Sequence, residues 1–257
     1  MIVYYAIGGG LGHRVRAQRV LDALGIEARI VTNDHLPIDW RSLDAERLIV
    51  DAFPCGIQGE LADVDIPMDY VARLLQWDDY VRSLGEVTWP RFQTTFIVEE
   101  LTEAHAAFVQ AQSDRVVELR LNVNVGRASA RLDHDKAYES AGLKPGLRCF
   151  SSYWLIVHSG PESEVRELID YAHQLKTIEN SAAQILVATQ CDVEERIDEH
   201  PVHHLFADAE RIISAAGFNV MLETEPFREK HIVLPFPRRF DDQFTRAARR
   251  RRTPSGE

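Results

Sequence analysis

Three short runs hold the residue types from which a reaction site is built. In Gly8-Gly9-Gly10-Leu11-Gly12-His13, with Arg16 three positions on, an imidazole sits on a glycine turn. Glycines let the backbone turn tightly and approach a ligand. A helix that starts there adds unpaired amides and a positive dipole end. That end disfavours the imidazolium, so His13 is expected neutral and able to act as a base; the alternative is a histidine that only caps the turn. A second run, Ala216-Gly217-Phe218-Asn219-Val220-Met221-Leu222-Glu223, follows an apolar stretch ending at Ser214. Gly217, Phe218, Asn219 and Val220 would open a helix whose first amides bind a diphosphate without a metal. Glu223 reads as a carboxylate able to accept two hydrogen bonds from a diol or as an exposed helix acid, and Gln243, which both donates and accepts, as a partner for hydroxyls or as a surface polar residue.

The third run, Val50-Asp51-Ala52-Phe53-Pro54-Cys55-Gly56-Ile57-Gln58-Gly59-Glu60-Leu61, follows another apolar stretch. Glu60 reads as an acceptor contact or a support for His13; the other reading is a structured loop in which Asp51 satisfies backbone amides. Ser159, in Trp154-Leu155-Ile156-Val157-His158-Ser159-Gly160-Pro161, faces phosphate or lies in an ordinary turn. Glu99 and Glu100 are candidates by position alone. Trp77 and Trp89 read as core or as part of an acceptor surface. His200, His203 and His204, near Asp208, match no metal-site spacing and read as a solvated loop. No Gly-x-Gly-x-x-Gly with an acid on the next strand occurs, and Asp34 is only a weak nicotinamide hint. Neither a phosphate-binding Gly-Lys-Ser/Thr nor a Gly-x-Ser-x-Gly elbow occurs.

Strands and helices alternate around these runs, which predicts an α/β fold with parallel sheets. Expected strands are 2–7, 28–32, 47–51, 70–74, 94–98 and 116–121, with helices over 13–24 and 103–111. Residues 127–148 break the rhythm and read as a linker with one helix around 136–141. A second alternation follows: strands at 154–158, 184–188, 211–214 and 231–234, helices at 162–175 and 218–223. The expected organisation is an N-terminal domain over 1–126, a linker over 127–150, a C-terminal domain over 151–248 and a flexible basic tail over 249–257. Arg249, Arg250, Arg251 and Arg252 there read as a solvated tail, with contact to anionic lipid as the lesser alternative.

The chain has 257 residues, 45% of them hydrophobic and 27% charged, a balance that excludes wholesale disorder. The net charge of −11 argues against general nucleic-acid binding, which needs basic surface to release counterions. No run approaches the ~18 apolar residues of a membrane helix, and the first residues read as a strand, not as a leader. Cys55, Cys149 and Cys191 are odd in number and far apart, fitting neither disulfides nor zinc. A cytoplasmic location is the default expectation.

Gly-x-Gly-His-x-x-Arg over Gly10–Arg16 resembles the first turn of GT-B glycosyltransferases, and most closely the bacterial family 28 peptidoglycan N-acetylglucosaminyltransferases and their predicted relatives. The spacing of Gly217, Glu223 and Gln243, with Pro235-Phe236-Pro237 before the glutamine, resembles the donor signature of the same enzymes. Asp51-x-Phe-Pro-x-Gly-x-x-x-Glu-Leu is similar to a segment of predicted members. The resemblance implies two Rossmann-like domains facing a cleft and inverting, metal-independent transfer from a nucleoside-diphosphate sugar, with UDP the first choice of nucleotide, to a hydroxyl acceptor. It implies His13 as base, with Gly10, Gly12, Ser159, Gly217, Phe218, Asn219, Val220, Glu223 and Gln243 toward the donor and Arg16 and Glu60 toward the acceptor or in support; Glu100 joins the acceptor side by position alone. No further cofactor is implied. The chain is short for the fold: 188–210 lacks a clear strand, and no long helix is expected after Gln243. The alternatives are a nucleotide-sugar hydrolase of the same fold and a non-catalytic subunit that binds a sugar nucleotide or a partner protein.

Overall fold

The computed structural model describes residues 1–7, 11–33, 44–122, 152–198 and 201–252. Gly10, Asp34, His200, Cys149 and the expected linker helix lie outside them. The chain divides into two compact units. The first is Met1–Asn122 together with Pro237–Asp242; the described part of the second is 152–236 with 243–252.

In the first unit β1 (Ile2–Tyr5), α1 (Leu11–Leu24), β2 (Arg29–Val31), β3 (Arg47–Asp51), β4 (Met68–Ala72), α2 (Trp77–Leu84), β5 (Phe92–Ile97), α3 (Glu103–Gln112) and β6 (Ser113–Glu118) follow in order. The six strands form one sheet, β2-β1-β3-β4-β5-β6, and every pair is parallel. Parallel strands need crossovers that cover both faces, so central strands are apolar throughout. All five residues of β4 are buried. One face packs Val3, Tyr5, Leu48, Val50, Met68, Tyr70 and Phe92 together. Each such side chain contributes roughly 1.5–3 kcal/mol. The edge strand β6 is half-exposed and polar, which blunts pairing with other chains.

In the second unit β7 (Tyr153–Val157), α4 (Glu162–Glu179), β8 (Gln184–Ala188), β9 (Arg196–Ile197), β10 (Arg211–Ser214), α5 (Phe218–Glu223), β11 (His231–Val233) and α6 (Gln243–Arg251) build a five-stranded parallel sheet, β11-β10-β7-β8-β9. Trp154, Ile156, Ile185, Val187 and Ile213 pack with Val165, Leu168 and Ala172 of α4. Asn180 in the left-handed region ends α4 by donating to the Lys176 and Thr177 carbonyls. Both units are therefore Rossmann-like α/β layers of parallel strands.

Two expectations need correction, and one helix is added. The interval 188–210 holds a strand after all, the short β9, with Ile197 buried in the core beside Val202 and Phe206. The basic tail does not begin at Arg249: α6 runs to Arg251. Charge alone hid its register, in which Gln243, Arg246 and Ala247 face inward. Arg250 pairs with Glu225 and donates to the Thr224 carbonyl at 2.7 Å. Helix α2, unforeseen in the sequence, carries Asp78 and Asp79 in its first turn, where they complement the dipole, and buries Trp77 and Tyr80.

In each sheet the order reverses once, between β1 and β3 in the first unit and between β7 and β10 in the second. Ligands of such sheets lie beyond the carboxyl ends of the strands at that point. The Gly8–His13 run follows β1 and Asp51 ends β3; Ser159 follows β7 and Gly217 follows β10.

Candidate functional site

Residues from three elements meet where the first sheet reverses. His13 lies in the first turn of α1, and Arg16 three positions on shares its face. Asp51, the last residue of β3, is fully buried between them. His13 Nδ1 is 2.9 Å from Asp51 Oδ2. Arg16 grips both carboxylate oxygens, from Nε to Oδ1 at 2.8 Å and from Nη2 to Oδ2 at 2.5 Å. The Tyr4 hydroxyl on β1 donates to Oδ1 at 3.4 Å.

The charges follow from this geometry. Burial opposes ionisation of Asp51, but the Arg16 guanidinium and the bonds from His13 and Arg16 outweigh it and hold the carboxyl well below its usual range. Burial also opposes the Arg16 cation, and Asp51 more than compensates. For His13 burial is the largest influence and lowers its pKa; Arg16 and Arg73 add to this, and Asp51 offsets part of it. His13 is therefore neutral near pH 7.

An ionised carboxylate can only accept, so a hydrogen bond between Nδ1 and Asp51 requires the ring proton on Nδ1, and the buried carboxylate favours that tautomer. Arg16 Nη2, one of whose two protons goes to Oδ2, also lies 2.9 Å from Nδ1; with the ring proton on Nδ1 that approach is not a hydrogen bond. Nε2 is left with a lone pair, and no described residue bonds to it. An imidazole held this way can take a proton at Nε2, the new charge being balanced by the carboxylate behind it.

The floor of the site is set by the loop after β3. Ala52 has φ +68°, a left-handed value unusual for alanine. The Phe53 amide donates to the Asp51 carbonyl at 2.8 Å, closing a three-residue turn around Ala52. The Phe53 ring stacks on His13, centroids 6.2 Å apart, and meets Tyr80 and Phe240 on its other sides. Glu60 is not the support for His13. Its carboxylate accepts from the Ile57 and Gln58 amides at 3.1 and 2.7 Å and from the Tyr5 hydroxyl, closing its own loop. Glu99 receives the Leu74 amide at 3.0 Å, and Glu100 is exposed. Buried Arg73 pairs with Asp241. Trp77 is core, stacked on His105 at 4.1 Å.

In the second unit Ser159 is exposed just after β7. Gly217 precedes the six-residue α5, in which Phe218 is buried and Asn219, Val220 and Glu223 are half-exposed. Gln243 is buried, its Oε1 accepting from the Phe236 amide at 3.0 Å. Beside α5 lies His231, with Nε2 2.8 Å from Ser214 Oγ and Nδ1 2.8 Å from Thr224 Oγ1; burial lowers its pKa to about 4. His158 pairs with Glu164 at 2.8 Å next to Gly160.

His13 and Arg16 thus adjoin one another as their spacing implies, and Gly12 sits beside them on α1. Tyr4 and Arg73 carry no signal in the sequence; Asp51 and Phe53 enter there only through the Asp-x-Phe-Pro segment, with Asp51 as a partner of backbone amides. The available signal was an acid closing the parallel strand next to the one that feeds the glycine turn, and using it requires the strand order. Among the described residues no group of three or more His, Cys, Asp or Glu side chains is placed to hold a metal, and no helix is long and apolar enough to cross a membrane. In comparisons with protein-family models, with curated proteins and with solved structures, nothing matches the chain.

Proposed function

We propose that the chain is an inverting glycosyltransferase that moves a sugar from a nucleoside-diphosphate sugar to a hydroxyl acceptor. The observation that carries this reading is the His13–Asp51–Arg16 cluster: a neutral imidazole beyond a parallel sheet's carboxyl end, its proton favoured on Nδ1 and Nε2 open. In the proposed reaction Nε2 takes the acceptor hydroxyl proton as the oxygen attacks the anomeric carbon. The anomeric bond to the diphosphate breaks, and the diphosphate leaves with its electrons. Support for the donor side is that Ser159 and Gly217 both follow strands at the reversal point of the second sheet, with the half-exposed Glu223 two turns after Gly217.

The test is ligand-observed NMR of the chain with UDP, GDP, dTDP and CMP, then with the matching sugar nucleotides and simple hydroxyl acceptors. One nucleotide should bind, and Glu223→Ala should weaken it. His13→Ala should lower turnover by about 10²–10⁴-fold, the usual contribution of a general base, while donor binding persists. Loss of donor binding in His13→Ala with no separate effect on turnover would overturn the base assignment. Free sugar formed without acceptor would replace transfer by hydrolysis. No turnover despite donor binding would leave a binding subunit.

A further inference from the structure

We propose that Tyr70 is a positioning residue for His13, acting through the strained turn at Ala52 that sets the direction of Asp51. The inference rests on reading His13 as the base. Tyr70 lies on β4, fully buried, opposite Val50 of β3 in the ladder. No hydrogen bond or ring contact joins it to His13. Its hydroxyl donates to the Ala52 carbonyl at 2.8 Å. The same oxygen lies 2.9 Å from His105 Nε2. Because the phenol proton goes to Ala52, His105 must be the donor in that second contact. His105 is stacked on Trp77, and burial pushes its pKa down to about 3, so it remains a neutral donor.

The turn needs this help. At φ +68° an alanine pays a steric penalty that glycine avoids. Three bonds hold it there: Ala52 N to the Val71 carbonyl at 3.0 Å, Phe53 N to the Asp51 carbonyl at 2.8 Å, and Tyr70 Oη to the Ala52 carbonyl. Only the last comes from a side chain. Both neighbours of Ala52 belong to the site, since Asp51 holds the Nδ1 proton and Phe53 stacks on the ring. A change in the Ala52 peptide therefore reaches His13 from two sides. Tyr70 itself is fixed by its stack on Phe92, centroids 5.1 Å apart.

The test reads the tautomer of His13 by ¹⁵N NMR of the full chain labelled in histidine. In the parent chain Nδ1 should carry the proton and Nε2 should be bare. Tyr70→Phe should shift the ratio toward the Nε2–H form by about tenfold, the equivalent of one lost hydrogen bond. Adding Ala52→Gly should restore the parent ratio, because glycine reaches positive φ without the hydroxyl. A hydrogen bond important only for folding would lower stability in Tyr70→Phe without moving the tautomer, and that result overturns the proposal. So does a shift that Ala52→Gly fails to rescue. If Tyr70→Phe does not fold, the parent chain decides: its Tyr70 hydroxyl proton should be visible as a slowly exchanging resonance, and its absence overturns the bond. A parent chain with the proton on Nε2 would instead defeat the reading of His13 as base.

Discussion

His13 and His231 stand at equivalent depths in their two units and both have lowered pKa values for the same leading reason, burial. Their chemistry differs because of what meets the ring nitrogens. In the first unit one nitrogen faces an ionised carboxylate and the other has no partner among the described residues. In the second, both nitrogens are occupied by hydroxyls, Ser214 on one side and Thr224 on the other. His231 is a connector between the end of β10, the end of α5 and β11. Burial makes a histidine neutral; an unoccupied nitrogen with a carboxylate behind its partner makes it a base.

The largest expected effect comes from removing the charge that separates the two cases. Asp51→Asn leaves Arg16 buried without its counter-charge, which should destabilise the first unit by about 3–5 kcal/mol. Denaturant unfolding measures this, and a cost below about 1 kcal/mol would show that Asp51 and Arg16 are not the buried pair described here. The equivalent change beside His231, Thr224→Val, removes a neutral hydroxyl and should cost only about 1–3 kcal/mol.

Acid should expose what the two histidines share. A histidine whose folded pKa lies below its unfolded value binds its proton first in the unfolded chain. Stability therefore falls as pH drops through about 6.5, and continues to fall until the folded pKa is reached, at about 4 for His231 and about 3 for His105. At 1.36 kcal/mol per pKa unit, His231 accounts for roughly 3 kcal/mol of that loss. The Asp51 carboxyl, held below its usual range, adds nothing until pH falls below about 4. Urea unfolding at pH 7 and pH 5 checks the slope. His231→Gln should flatten it for the second unit, and an unchanged slope would show that His231 is already protonated in the fold.

The smallest contrast is between two glycines, each beside a glutamate carboxylate. A side chain at Gly56 would run into Glu60, and its φ of +80° is already costly for any other residue. Gly160 has no such backbone demand, although a methyl group there would press on His158 and Glu164. Gly56→Ala should destabilise by about 1–3 kcal/mol, and Gly160→Ala by less. Thermal melts rank them, and the reverse order would mean that the His158–Glu164 pair is stiffer than the Glu60 loop.

What could be read from the sequence is what is local. Periodicity and apolar runs located nearly all the strands, with 47–51, 184–188 and 211–214 at their observed bounds. The glycine turn identified His13 and Arg16 as neighbours. What was hidden depends on which strand lies beside which. Asp51 is 38 residues from His13, and only the β1–β3 pairing brings them together. Glu60 reads in the sequence as an acceptor contact or a support for His13, because the backbone amides two and three residues before it that its carboxylate binds leave no compositional trace. The arginines of α6 were read by charge, although Arg246 and Arg250 have their heads against backbone carbonyls.

Residues 237–242 belong to the first unit although they follow β11 of the second. Phe240 packs with Phe53 and Tyr80, its carbonyl accepts the Gln76 amide at 2.8 Å, and Asp241 pairs with Arg73. The molecule therefore has no single place where scissors would give two whole parts. A fragment ending at residue 122 would lack a side chain of its own aromatic core and the counter-ion of a buried arginine. The remaining fragment would carry that phenylalanine with no core to enter. Anyone dividing this chain for expression should give the first fragment the hexapeptide back, either as an added strand of sequence or as a synthetic peptide. Its binding would then report, without any substrate, whether the pocket around Phe53 is intact.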